Sequence, residues 1–291
     1  MNISYMGPEG SFSHAAAIEA MRYTHEPVIL SPAPNIGLVI RAVADARVQT
    51  TVGVVPYYNF LEGLVQEHLD LIFEFQLKIL GLIRLPVVFS AGTFDDPPAV
   101  AEEIYSHPKA LAQVSDFIMQ KFSNAKVVPV SSTSEAAQIV SEKRCGIAIA
   151  SEAALKKFCV PIFAQNIGNV RHGRNNFTDF FIVQRQDIKE ALNVMAPNHT
   201  MIAITPSVDR AGLLAELLGQ FHFYDLDIAK IHSRPALGVA VSPEEPQMFY
   251  LEVKCAPSSE PLLRCIEAIR YKFRDAGHEA KAIRIMGSFM I

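Results

Sequence analysis

The chain reads as an α/β protein, with mostly parallel sheets in its longer N-terminal part and a small βαββαβ unit at its end. Three observations predict this architecture. Short apolar runs alternate with helix-like segments as far as about residue 185, as α/β folds require. The largely polar stretch Gln184–His199, which contains Pro197 and Asn198, then interrupts the pattern and is the best candidate linker. Beyond it the order strand, helix, strand, strand, helix, strand occupies about 90 residues, enough for a complete small domain.

In order, the apolar run Ile3–Met6 is predicted as a strand, and Ser11–Met21, which opens on capping serines, as a helix. The valine-rich Val52–Val55 is a strand, Gly63–Phe75 a helix, and Leu77–Ser90 one or two strands. Pro108–Phe122 begins with a proline suited to a first turn and is predicted as a helix. Val127–Pro129 is a short strand, Ser134–Glu142 a helix, Gly146–Ala150 a strand, Ser151–Phe158 a helix and Phe180–Val183 a strand. Past the linker come strand Met201–Ile204, helix Arg210–Phe221, strand Ile228–Ser233, strand Met248–Cys255, helix Glu260–Phe273 and strand Ala282–Gly287. That order is the ferredoxin-like pattern.

Composition narrows the function classes. With 291 residues, half of them hydrophobic, the chain has room for two domains and a sizeable core. A net charge of −4 argues against a general nucleic-acid binder. An anionic ligand would therefore need a local cluster of positive charge or aligned backbone N–H groups. Cys145, Cys159, Cys255 and Cys265 show neither CxxC nor zinc spacing, so buried free thiols and no metal are expected. The start, Met-Asn-Ile-Ser-Tyr-Met-Gly, has no basic segment and no long apolar run. A soluble cytoplasmic protein without a membrane span is the expectation.

Five segments carry candidate chemistry. Gly7-Pro8-Glu9-Gly10-Ser11-Phe12-Ser13 follows the first strand and opens a helix. It is either an ordinary strand-to-helix turn or, with Ser11 or Ser13 as cap, a helix start whose N–H groups receive an anion. Tyr105-Ser106-His107-Pro108-Lys109 is a second such junction, with Ser106 as N-cap and His107 as a helix-start residue rather than a base. Ser132-Thr133-Ser134-Glu135 is a third, with Ser132 and Glu135 at capping-box spacing. Pro56-Tyr57-Tyr58-Asn59-Phe60-Leu61-Glu62 offers hydroxyl and amide groups beside an apolar wall, or else core aromatics. Arg171-His172-Gly173-Arg174 is a positive cluster just before Asn176-Phe177-Thr178-Asp179-Phe180.

Taken together and in this order, these segments resemble the prephenate dehydratase family. Its pattern runs Gly-Pro-x-Gly-Thr-Phe-Ser, Val-Val-Pro-Ile-Glu-Asn-Ser-x-Glu-Gly, Ser-His-Pro-x-Ala-Leu-Ala-Gln, Ser-Thr-x-Glu-Ala-Ala, Ala-Ile-Ala-Ser and Asn-x-Thr-Arg-Phe. Ser106–Gln113 is the closest match. Ile231-His232-Ser233-Arg234-Pro235 resembles the Glu-Ser-Arg-Pro motif of a phenylalanine-sensing ACT domain. The resemblance covers nearly the whole chain. Any one motif is weak, but six in register are specific.

The resemblance implies a two-lobed catalytic unit like type 2 periplasmic binding proteins over residues 1–188. Its lobes would be about 1–78 with 165–188, and 79–164. An ACT-like domain over 196–291 would follow. It also implies prephenate as substrate, no cofactor, and a homodimer or homotetramer. Thr178, Asn59 and Tyr58 become the catalytic candidates. Ser11, Phe12, Ser13, Phe60, Glu62, Ser132, Thr133, Arg171, Arg174, Asp179 and Phe180 become the substrate-binding ones. Ala211, Gly212, Leu213, His232, Ser233, Arg234 and Pro235 would take an amino acid at the ACT domain.

Of the departures from the pattern, three change the charge or polarity of the catalytic motifs, and His232 replaces the glutamate of the C-terminal one. Tyr58 stands where the family has Glu, Phe60 where it has Ser, and Asp179 where it has Arg. If these line the pocket, an apolar wall would favour loss of CO2 from a desolvated carboxylate. Asp179 would repel an anionic substrate, leaving Arg171 or Arg174 to supply the cation. The expectation is therefore decarboxylation of prephenate without aromatisation, giving a dihydro-4-hydroxyphenylpyruvate. Ordinary dehydration to phenylpyruvate is the alternative, and a non-catalytic ligand sensor is the alternative of another class.

Overall fold

The computed structural model describes residues 1–47, 52–168, 176–189, 192–206, 210–235, 247–272 and 283–291. The chain starts with β1 (Asn2–Met6), α1 (Phe12–Ala20), β2 (Ile29–Ala33), α2 (Ile36–Ala44) and β3 (Val52–Asn59). β1 is buried at its centre and runs parallel to both β2 and β3. α2 buries Ile36, Val39, Ile40 and Val43, one apolar stripe at helical spacing. β4 (Gly63–Leu64) folds back on β3, and α3 (Gln66–Glu74) leads to β5 (Leu77–Pro86). The helix expected from Gly63 thus begins at Gln66, because Gly63 has φ +88° and is spent on the β4 turn.

The chain then crosses to a second, smaller sheet. Its elements are β6 (Ser90–Thr93), β7 (Glu103–Ser106), α4 (Pro108–Gln113), α5 (Ser115–Lys121), β8 (Lys126–Pro129), α6 (Thr133–Lys143), β9 (Ile147–Ala150), α7 (Glu152–Lys157) and β10 (Ile162–Ala164). The strand order is β10-β6-β9-β7-β8. The single helix predicted over Pro108–Phe122 is two, because Val114 leaves helical dihedrals at φ −119° and ψ 15°. β11 (Phe177–Arg185) returns to the first sheet and inserts between β3 and β5, antiparallel to both. The two crossing segments are tied together by the Val87 N–H, which donates to the Asn176 carbonyl at 2.9 Å. Two lobes joined by a double crossing give the periplasmic-binding-protein arrangement. The sheets are mixed rather than mostly parallel, because β11 runs back and β6 is antiparallel to β9.

The C-terminal unit is β12 (His199–Ile204), α8 (Leu213–Phe223), β13 (Ile228–Pro235), β14 (Gln247–Val253), α9 (Glu260–Lys272) and β15 (Ile283–Phe289). Its strands are ordered β13-β14-β12-β15, with α8 and α9 over one face. β15 then meets β5 at Gly287 opposite Ile79. A Cβ on Gly287 would lie 2.0 Å from the Ile79 carbonyl oxygen, so only glycine lets the two sheets fuse here. One core accordingly runs through the junction, with Ile79, Phe181 and Val183 packed with Met201, Tyr250, Met286 and Phe289. The expected linker is not loose throughout, since Leu192 is buried in the N-terminal core. Nor are the thiols all buried: Cys145 and Cys159 are exposed, Cys255 is half-buried and only Cys265 is fully buried, all four free. Among the described residues no helix is long and apolar enough to cross a membrane, and no cluster of three His, Cys, Asp or Glu residues could hold a metal ion.

Candidate active site

A cleft of about 330 Å³ opens between the two lobes. Its chemistry begins with two helix starts. Ser11 caps α1, its Oγ accepting the His14 N–H at 3.2 Å. Gly10, at φ +86°, turns its N–H onto His14 Nδ1 at 3.1 Å. Burial pushes the His14 pKa down, which keeps this nitrogen available as an acceptor. Ser132 caps α6, its Oγ accepting the Glu135 N–H at 3.0 Å. The expected box closes one residue early: Glu135 Oε2 accepts the Ser131 hydroxyl at 2.5 Å and the Ser131 N–H at 2.8 Å. Those bonds hold the Glu135 carboxyl below its ordinary range. Both helix starts line the cleft through Ser11, Phe12 and Ser13 on one side and Ser132, Thr133 and Ser134 on the other. Ser134 Oγ is buried there with no hydrogen-bond partner among the described residues.

The floor is polar at one point and apolar around it. Asn59 at the end of β3 and Thr178 at the start of β11 face each other across the ladder. Asn59 Nδ2 donates to Thr178 Oγ1 at 2.9 Å. The other end of the same amide accepts the N–H groups of Leu61 and Glu62 at 3.0 and 3.1 Å, which fixes the loop after β3. Phe180, Phe12, Phe89 and Val87 supply the apolar wall, with Phe12 and Phe89 packed edge to face. From the second lobe, His107 caps α4 with its ring, Nδ1 accepting the Lys109 N–H at 3.2 Å. Ser106, expected as that cap, instead ends β7 buried, donating to the Ile149 carbonyl at 2.6 Å. Gln113 reaches the cleft from the last turn of α4, and its Oε1 accepts from Asn176 Nδ2 at 2.9 Å.

Three expected site residues are not in this cleft. The β3–β11 ladder shifts register between Asp179 and Phe180, so Asp179 opposes Tyr58 while Phe180 opposes Pro56. The extra residue, Tyr57, makes a bulge. Past it the parity of β3 changes: Asn59 lands on the cleft face, and both Tyr57 and Tyr58 pack toward the C-terminal unit. Tyr57 is fully buried and its hydroxyl donates to Glu252 Oε2 at 2.9 Å. Burial first and the Glu252 charge second drive its pKa far up. Lys230 bonds the same carboxylate at 2.7 Å and lies over the Tyr58 ring. Asp179 is fully buried on that side and forms a two-pronged pair with Arg84, Nε–Oδ1 2.7 Å and Nη2–Oδ2 2.8 Å. The pair holds the Arg84 guanidinium above its already high pKa. Phe60 stacks on Phe177, which in turn carries Arg84 over its ring. Asp179 therefore does not line the cleft, and its cation is Arg84. Arg171 and Arg174 lie outside the described residues.

The residues expected to hold an amino acid at the C-terminal unit fall at one end of its sheet, where Ile204 and Ser233 flank Phe249. Gly212 has φ +82°, and Leu213, the first residue of α8, is buried in the core of the unit. Ala211, Ser233 and Pro235 are exposed. Arg234 turns away to the catalytic unit, where its Nη2 pairs with Asp70 at 2.6 Å and its Nη1 bonds Gln66 at 3.0 Å. His232 is half-buried on the same face, and burial, then Lys230, push its pKa down. Sequence reasoning missed Lys109, Gln113, Ser134 and Arg84 as site or partner residues. The first two were in view inside the best-matching motif; Arg84 had no signal of its own.

Fold and cleft together define a two-lobed α/β unit of the periplasmic-binding-protein type with a small C-terminal domain. Residues 3–188 match the family model described as prephenate dehydratase, and the chain belongs to that family. The bifunctional chorismate mutase/prephenate dehydratase of Aquifex aeolicus (strain VF5) is 27% identical over 289 residues, 99% of this chain and 73% of that protein. The prephenate dehydratase of Amycolatopsis methanolica is 27% identical over 290 residues, 99% of this chain and 88% of that one. The solved prephenate dehydratase of Staphylococcus aureus subsp. aureus Mu50 shares the fold, with a TM-score of 0.77 at 24% identity over 99% of this chain and 100% of that chain.

Proposed function

We propose that this chain converts prephenate to phenylpyruvate, releasing CO2 and water with uptake of one proton. The observation that carries the reading is the Asn59–Thr178 hydrogen bond on the cleft floor. Because Thr178 Oγ1 accepts from the amide, its own proton is free to be donated to the departing 4-hydroxyl. As the ring carboxylate leaves as CO2, the freed electron pair enters the ring and the C–O bond breaks. The departing oxygen takes a proton delivered from solvent through the Thr178 hydroxyl, and the ring becomes aromatic. Phe180, Phe12 and Phe89 keep the ring carboxylate poorly hydrated, which favours its loss. The starts of α1 and α6 aim N–H groups at the oxopropanoate carboxylate.

The non-aromatising decarboxylation favoured by sequence rested on Tyr58, Phe60 and Asp179 changing the cleft. None of those side chains lines the cleft, since Tyr58 packs toward the C-terminal unit, Phe60 stacks on Phe177 and Asp179 pairs with Arg84. That ground is therefore gone, and family membership supports the dehydratase reading. Incubation with prephenate, following CO2, phenylpyruvate and any hydroxyl-retaining dihydro product, tests it. One phenylpyruvate per CO2 is expected. CO2 with a hydroxyl-retaining product would turn the reading to decarboxylation, and binding without turnover would turn it to ligand sensing.

The division into residues 1–188 and 196–291 belongs to the same proposal, the second unit being an ACT-like domain kept mainly for assembly of a homo-oligomer. His232 stands where the resemblance puts an acidic partner, and its depressed pKa leaves it neutral near pH 7. Arg234 is already engaged by Asp70. Weak or absent phenylalanine binding is expected, and tight calorimetric binding that lowers turnover would reverse this.

A further inference from the structure

Among the described residues that line the cleft, Lys109 is the sole lysine or arginine and Glu62 the sole carboxylate. They come from opposite lobes, Glu62 from the loop after β3 and Lys109 from the first turn of α4. Across the cleft mouth they meet, Lys109 Nζ to Glu62 Oε2, at 2.5 Å. Among the described residues neither is anchored elsewhere by its charged end. Their backbones, in contrast, are fixed by the site itself: Asn59 Oδ1 holds the Glu62 N–H and the His107 ring holds the Lys109 N–H. The Lys109 side chain is 65% exposed and that of Glu62 37%, so the pair is mostly hydrated and cheap to part.

We infer that this pair is an exchangeable latch: Lys109 receives a carboxylate of the entering substrate, and Glu62 is its partner only while the cleft is empty. The inference rests on the reading that the cleft takes dianionic prephenate. Among the described lining residues, a dianion reaching the mouth meets one lysine or arginine and one carboxylate. It binds well only if its own carboxylate replaces that of Glu62 on Nζ, after which Glu62 turns to water. The consequence separates a latch from a simple clamp. In a clamp both partners help, so removing either one weakens binding. In a latch Glu62 competes with the ligand, so the two removals act in opposite directions.

The test is calorimetric binding of prephenate to the full chain at low ionic strength in a Thr178→Val background, which suppresses turnover, comparing this parent with the same chain carrying Lys109→Met, Lys109→Arg or Glu62→Gln. Lys109→Met should raise Kd about tenfold to a hundredfold, the worth of a charge-assisted bond, and Lys109→Arg should restore most of it. Glu62→Gln should lower Kd by about twofold to fivefold, the worth of an exposed ion pair. Both shifts should shrink as salt is added. Thermal melting of each variant controls for folding, and these exposed positions should move it little. Shifts of the same sign for Lys109→Met and Glu62→Gln, no shift in either, or no binding of prephenate to the Thr178→Val parent would each overturn the latch. Product analysis on the wild type tests the reaction separately, so a wrong reaction with a correct latch is recognisable.

Discussion

On one face of β11, Thr178 and Phe180 look into the cleft; on the other, Asp179 pairs with Arg84 and Phe181 packs into the core shared with the C-terminal unit. The cleft face keeps the residues of the family pattern. The far face holds the departures, Asp179 with Tyr58 and Phe60 beside it. A strand sends alternate side chains to opposite sides, so one short motif reports on two different problems. On the proposed reading Thr178 serves the chemistry, whereas Asp179 serves a buried ion pair with Arg84 between β11 and β5. Around it, Tyr57, Lys230 and Glu252 form a second buried polar group on the same side. A change of charge at Asp179 reads as an altered enzyme only if both faces are assumed to serve the substrate.

The largest effect expected on the far face is on stability. Arg84→Ala leaves the Asp179 carboxylate buried and alone, which should cost ~3–5 kcal/mol in denaturant unfolding. A loss well under this would mean that Asp179 is reached by water. On the cleft face the effect should fall on binding instead. Asn176→Asp is nearly isosteric, but its carboxylate attracts the amide end of Gln113 and turns the Gln113 oxygen toward an anionic ligand. KM for prephenate should rise about twofold to tenfold, the worth of one hydrogen bond, and by more than in Asn176→Ala. If Ala is the worse of the two, Asn176 is a packing residue.

The smallest effect sharpens the far face again. Burial pushes the pKa of His68 and of His199 below the ordinary 6.5. Below that value the unfolded chain binds more protons than the folded one, so stability is fully present above about pH 6.5 and is lost as pH falls through it. A melting temperature that declines from pH 7.5 to pH 5.5, with a smaller decline in His68→Gln, is the expected outcome. A flat profile would show that neither ring is kept neutral.

Much of this is legible in the sequence. The βαββαβ order past the linker and the strand-to-helix turns at Ser11 and Ser132 were written in apolar runs and capping residues. The stretch from Ile29 to Ala44 was passed over although α2 carries a clear apolar stripe. The site was half legible. Asn59 and Thr178 could be named from the motif, but which neighbours join them depends on the bulge at Tyr57. A one-residue bulge leaves no mark in a run of aromatic residues, and it reverses the facing of everything after it. The partner of Asp179 was hidden for another reason. Arg84 lies 95 positions away and meets it only because β5 and β11 are neighbours.

The central claim is that the chemistry runs on the cleft face of this ladder and not on the other. A side-by-side measurement of kcat on prephenate for Thr178→Val and Tyr58→Phe tests it most directly, because each removes one hydroxyl and little volume from opposite faces. Thr178→Val should lose about 10²–10⁴-fold, the range of a proton-transfer group, while Tyr58→Phe keeps the wild-type rate. A large loss in Tyr58→Phe with activity retained in Thr178→Val would contradict the account.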